Sequence, residues 1–154
     1  MIQRIQTIYL FIATILVSIT IFTPYAYFLA EGGTYDLCVF SLQSQDGVAI
    51  QSTIYAGILL VLSAVLPFVT IFLYNRRLLQ IRLCVVEIIL LVGSAVIMSV
   101  YYFLSNRVFS EFDYSSQGFK IGFVLPIIAI VFVYLALRAI FKDEVLVRSQ
   151  DRIR

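Results

Sequence analysis

The sequence predicts an all-α membrane protein, a four-transmembrane-helix bundle with both termini cytoplasmic. Three observations carry this reading. Apolar residues make up 62% of the 154 and charged residues only 13%, where a soluble domain carries about 25% charged residues. Too few polar side chains remain to cover a water-facing surface. Four apolar segments, at residues 5–29, 52–74, 83–104 and 119–141, each reach the roughly 20 residues that cross a bilayer as a helix. The basic residues are also segregated. With the N-terminus inside, Arg4, Arg76, Arg77, Arg82, Arg138, Lys142, Arg148, Arg152 and Arg154 fall on the inner face, and only Arg107 and Lys120 on the outer. The length suits a single integral membrane domain, residues 1–154.

Each element follows from local chemistry. Segment 5–29 reads as an uncleaved signal-anchor helix, because no small-x-small site closes it and its apolar stretch exceeds a usual h-region. Residues 30–51 form a polar outer loop with turn signals at Gly32-Gly33 and Asp46-Gly47. Tyr35, Leu37 and Val39 alternate before Asp46-Gly47, and Val48 and Ile50 after it, so a short extracytoplasmic β-hairpin is expected there. The inner loop from Asn75 to Arg82 is short, which makes spans two and three an antiparallel hairpin. Residues 105–118 carry Phe109, Phe112 and Tyr114 among charges and suit a loop at headgroup level. Span four is expected to continue as a helix into a charged tail, 142–154, where Glu144 and Arg148 are spaced for an i,i+4 pair.

Small and weakly polar residues recur on one line of each span at about 100° per residue. They are Thr7, Thr14, Ser18 and Tyr25; Ser52, Ala56, Ser63, Thr70 and Tyr74; Glu87, Ser94 and Tyr101; and Gly122, Ala129 and Ala136. Such stripes let membrane helices approach closely, so Thr14, Ser63, Ser94 and Ala129 are expected inside the bundle. A substrate path lined by the same residues is the competing reading. Pro24, Pro67 and Pro126 lie in or at the ends of spans and permit bends. Glu87 is the acid inside a span. An intramembrane ionisable group is expensive. Arg138 has similar depth but lies on the face opposite the small stripe of its span, and Gln3, Arg4 and Thr7 compete for the acid. Glu87 is either a structural pair or snorkelling acid, or a proton- or cation-coupling group.

The inventory excludes much chemistry. There is no His, which removes His-based nucleophile activation, metal sites and proton relays. Cys38 and Cys84 fall at opposite faces, so they cannot form an intramolecular disulfide. No phosphate-binding glycine motif occurs. The expectation is a non-enzyme without catalytic residues, cofactor or metal, and the net charge of +2 is a topology signal rather than a nucleic-acid patch.

Three stretches carry a family resemblance. They are Met1-Ile2-Gln3-Arg4-Ile5-Gln6-Thr7-Ile8-Tyr9-Leu10; Gln80-Ile81-Arg82-Leu83-Cys84; and the closing Lys142-Asp143-Glu144, Leu146-Val147-Arg148-Ser149 and Asp151-Arg152-Ile153-Arg154. The chain resembles a Bacteroidota family of small four-span integral membrane proteins, a domain-of-unknown-function family. The resemblance implies a bacterial inner-membrane location and four spans. It carries no activity, cofactor or site residue. All three stretches lie on the face assigned as cytoplasmic. There Arg4, Arg76, Arg77, Arg82, Asp143, Glu144, Arg148, Asp151 and Arg152 are expected to form one charged rim. Headgroups alone would repel the acids, so the mixed signs suggest cross-linking within the bundle or a protein partner. The expected function is a non-enzymatic accessory or structural subunit, in contact with the bilayer and with a membrane or cytoplasmic protein. The alternative is a small oligomeric transporter or channel using Glu87.

Overall fold

The computed structural model describes residues 3–30, 33–44, 47–73, 76–109 and 114–151. It contains α1 (Gln3–Phe22), β1 (Ala26–Ala30), β2 (Gly33–Leu37), β3 (Ser41–Ser44), β4 (Ala49–Ser52), α2 (Ile54–Phe72), α3 (Arg77–Phe109), β5 (Tyr114–Phe119) and α4 (Ile121–Asp151). Four of these are helices long and apolar enough to cross a membrane. They pack as a ring in which α1 and α3 each touch both α2 and α4. The strands form one antiparallel sheet of order β4-β3-β2-β1-β5. Connectivity puts the sheet at one end of the bundle. The α2–α3 turn, the start of α1 and the end of α4 lie at the other end, called the turn end below.

The sheet corrects the all-α expectation. The first apolar segment is a helix to Phe22 followed by a strand, not a helix to residue 29. Pro24 is the cause: it has no amide hydrogen and biases Thr23 away from helix. The chain then extends. Tyr25 N–H donates to the Leu37 carbonyl at 2.9 Å, and Lys120 N–H donates to the Tyr25 carbonyl at 2.9 Å. The expected hairpin is present across Asp46-Gly47 as β3 and β4, with Gly47 at φ +75°. Tyr35 and Leu37 belong instead to the separate strand β2. Residues 105–118, expected as a loop, include regular structure: α3 runs on to Phe109, and β5, from Tyr114, pairs with β1, while residues 110–113, Phe112 among them, lie outside the described residues. Span three begins earlier, at Arg77, and α4 starts at Ile121 and continues to Asp151, as the tail charges suggest.

The sheet has two faces because strand side chains alternate. Ala26, Phe28, Leu37 and Leu42 are buried toward the helices. Phe28 stacks on Tyr102 at 5.4 Å, and Tyr102 meets Phe119 at 4.2 Å, so aromatic rings join the sheet to α3 and the start of α4. On the other face Lys120 Nζ donates to Asp36 Oδ1 at 2.6 Å and lies over the Tyr27 ring. Buried Thr53 clasps the β2–β3 turn at the start of α2, its hydroxyl donating toward the Cys38 and Val39 carbonyls.

Inside the bundle, Ser63, Ser94 and Ala129 are buried as expected. Thr14 is only half-buried, and the buried line of α1 is Gln6, Leu10, Ala13, Val17 and Thr20. The apolar Leu10, Ala13 and Val17 take the interior of α1, and Thr14 is satisfied at its edge, where its Oγ1 donates to the Leu10 carbonyl of its own helix at 2.9 Å. Outward faces are apolar along the length, with Ile8, Phe11, Ile15, Ile89, Val96, Val100 and Val131 exposed. Water-facing monomers do not carry so continuous an apolar belt, and it suits a multi-pass membrane protein.

Candidate functional site

The turn end gathers part of the expected rim. After α2, Leu73 N–H donates to the Thr70 carbonyl and Arg76 N–H to the Leu73 carbonyl. Leu79 and Gln80 N–H then both donate to the Arg76 carbonyl, starting α3. The buried Gln80 amide donates back to the Thr70 carbonyl at 2.9 Å and fixes the α2–α3 hairpin. Because α4 is 31 residues long, about 46 Å at 1.5 Å per residue, its last turns extend beside the start of α3. Arg77 Nη1 there approaches Asp143 Oδ2 at 3.4 Å, with both side chains largely shielded.

A groove of about 520 Å³ lies at this junction, lined by Arg76, Arg77, Leu78, Leu79, Glu144 and Val147. Of the expected rim residues, Arg76, Arg77, Asp143 and Glu144 are therefore brought together. Arg82 is exposed on α3 and does not line the groove. Arg148 and Asp151 continue the α4 helix, but their side chains and that of Arg4 lie outside the described residues, as does Arg152 altogether.

Glu87 sits about 15 Å further along α3 from Arg77. It is fully buried, and neither carboxyl oxygen has a hydrogen-bond partner among the described residues. Arg138 is exposed and does not pair with it. The buried hydroxyls of α2 and α3 behave differently: Ser63, Thr70 and Ser94 each donate to a carbonyl of their own helix. Gln6 Nε2, buried near the start of α1, and Arg77 Nη1 at the start of α3 also have no hydrogen-bond partner among the described residues. On the sheet side of Glu87 the interior is closed by Val17, Leu60, Leu91 and Ala129.

Gln6 and Gln80 are interior polar residues that the stripe reading missed, although the signal was present. Gln80 lies seven residues before Glu87, on the same line as Ser94, and Gln6 shares the spacing of Ala13 and Thr20. A second cavity, about 330 Å³, opens on the sheet end among Pro24, Thr34, Asp36, Cys38, Gln43, Ser44 and Gly47. Burial pushes the Cys38 thiol above its usual range, and the Asp36 carboxylate adds to this against the opposing charge of Lys120. Both cysteines are free. Among the described residues no three His, Cys, Asp or Glu side chains gather where a metal ion could sit.

The model of a family described as a domain of unknown function (DUF4293) matches residues 2–153, and the chain belongs to that family. No curated protein matches it.

Proposed function

We propose that this family member is a non-enzymatic accessory subunit of a bacterial inner membrane, of the Bacteroidota type, with both termini cytoplasmic and a protein partner at the turn end. The observation that carries the reading is the extension of α4. Beyond the apolar stretch the helix continues through Lys142, Asp143 and Glu144 to Asp151, and Arg77 braces it against α3 through Asp143. A solvated end with no role would fray, since isolated helix turns are marginal in water. A braced helix carrying alternating charges offers a fixed surface to a cytoplasmic or membrane protein. The segregation of Lys and Arg supports the orientation.

The test is purification of the full chain in mild detergent from its native membrane, followed by mass spectrometry. A stoichiometric partner, lost on Lys142→Glu while thermal unfolding is unchanged, is the expected result. An unaccompanied chain, or a partner indifferent to Lys142 and to removal of 148–154, would contradict it. The unpartnered oxygens of Glu87 favour a second reading, an oligomeric transporter or channel. The apolar closure at Val17, Leu60, Leu91 and Ala129 weighs against a continuous path within one chain. Flux in liposomes that disappears in Glu87→Gln would establish that second reading instead.

A further inference from the structure

We propose that the groove between the start of α3 and the end of α4 is a headgroup site for an anionic phospholipid. The inference rests on the membrane reading above, but not on which leaflet the turn end meets. Its first support is the two-part chemistry of the groove. Arg76 and Arg77 give it a cationic side that outweighs the one lining acid, Glu144, which has an interaction of its own, and Leu78, Leu79 and Val147 give it an apolar side. The volume of about 520 Å³ falls within the range of small-molecule sites, about 300–1,000 Å³. A free phosphate would satisfy the arginines and leave the leucines wet. An amphiphile with a phosphodiester satisfies both.

The second support is charge. A basic rim mixed with acids would repel an anionic headgroup if the acids were free. Asp143 is not free: it faces Arg77 at 3.4 Å and is largely shielded. The Arg77 contact is close without hydrogen-bond alignment, and Nη1 has no hydrogen-bond partner. A planar guanidinium has five N–H donors, so Arg77 retains donors after meeting one carboxylate. Arg76 is exposed. Among the described side chains at this end, Arg76, Arg77, Arg82, Arg138 and Lys142 outnumber Asp143 and Glu144. Guanidinium groups match phosphate oxygens in bidentate geometry, and α3 starts here with no acid in its first turn to oppose them.

The third support is depth. On α4 the apolar run gives way to Lys142, Asp143 and Glu144, and α3 begins at Arg77, so the groove lies where the apolar belt gives way to charge. Exposed Phe141, Val145 and Leu146 lie on the same turns of α4 as Glu144 and Val147. This is the level at which a lipid phosphate sits above its acyl chains. Basic pockets between membrane helices at this level are suited to anionic headgroups.

The experiment uses the full chain in a non-ionic detergent, with native mass spectrometry and thermal unfolding read in parallel. The probes are phosphatidylglycerol, phosphatidylcholine and inorganic phosphate at equal concentration. Phosphatidylglycerol should bind one per chain and raise the unfolding temperature; phosphatidylcholine and phosphate should do neither. Arg76→Gln, which leaves the Arg77–Asp143 pair in place, should weaken phosphatidylglycerol binding about tenfold. Arg82→Gln, outside the groove, should leave it within about twofold. Equal binding of phosphatidylcholine would overturn the proposal in favour of a generic apolar surface. Equal stabilisation by phosphate would overturn it in favour of a plain anion site, and so would binding indifferent to Arg76. A protein partner that occupies the groove and excludes the lipid in the native complex would overturn it in favour of protein docking. A reversed topology measured separately would refute the orientation and leave the lipid result intact.

Discussion

Glu87 is buried with both carboxyl oxygens unpartnered among the described residues, while the buried hydroxyls Ser63, Thr70 and Ser94 close onto their own helices. Burying a carboxyl without a partner costs free energy that apolar packing would not. Replacing it by an unbranched apolar side chain of similar size should therefore stabilise the fold. The expected outcome for Glu87→Met is a gain of about 1–4 kcal/mol, read by unfolding in detergent. A loss of stability would mean that the carboxyl has a partner the interior depends on. Cys38 offers a second test at this scale. Burial first, and then the charge of Asp36, hold its thiol above the usual range. The folded state therefore favours the protonated thiol. That contribution to stability is fully present below the unfolded thiol value, about 8.5, and is lost as pH rises through the higher folded value. Maleimide should react with Cys38 more slowly than with a free thiol near neutral pH and accelerate as pH rises. Asp36→Asn should speed the reaction. An unchanged rate would show that Asp36 does not act on the thiol.

At the scale of elements, the joint between α1, the sheet and α4 is a close backbone contact. A Cβ on Gly122 would stand 2.6 Å from the Pro24 carbonyl oxygen, and a backbone atom there cannot swing aside. Gly122→Ala should cost about 1–3 kcal/mol despite the better helix propensity of alanine. Gly57→Ala meets the Phe40 ring, a side chain 46% exposed, and should be tolerated better. Equal tolerance at both glycines would show that the joint relaxes. The same joint marks the limit of sequence reading. Helical runs with apolar faces are legible because 20 apolar residues have one structural solution in a membrane. Residues 25–30 continue the apolar run of α1, so composition could not separate strand from span; Pro24 was the signal. The β3–β4 hairpin was legible from Asp46-Gly47, whereas β1 pairing with β5 joins residues about ninety apart and leaves no local mark. The stripe of α4 was read correctly at Gly122, Ala129 and Ala136. On α1 the buried line falls one position from Thr7, Thr14 and Ser18, because the apolar Leu10, Ala13 and Val17 take the interior and a helical hydroxyl is satisfied at either depth.

The molecule as a whole has unlike ends. The sheet end presents Asp36, Lys120, Gln43 and Thr34 around a polar cavity, and the turn end presents arginines, a braced helix and an amphipathic groove. Between them runs an apolar belt. The rim was partly legible in the sequence, since charge segregation predicts which residues share an end. That Arg77 faces Asp143 and that Arg82 stands apart depend on helix azimuth and on the reach of α4. The account makes the turn end cytoplasmic, and both the partner and the inner-membrane readings hang on this. The most direct measurement is sided labelling of single cysteines in a Cys38→Ser, Cys84→Ala background, using spheroplasts and an impermeant maleimide. The exposed positions are Gln43→Cys on the sheet and Lys142→Cys on α4. The account predicts that the Gln43 site reacts in intact spheroplasts and the Lys142 site only once the membrane is opened. Reaction at Lys142 from outside, with Gln43 protected, would contradict it.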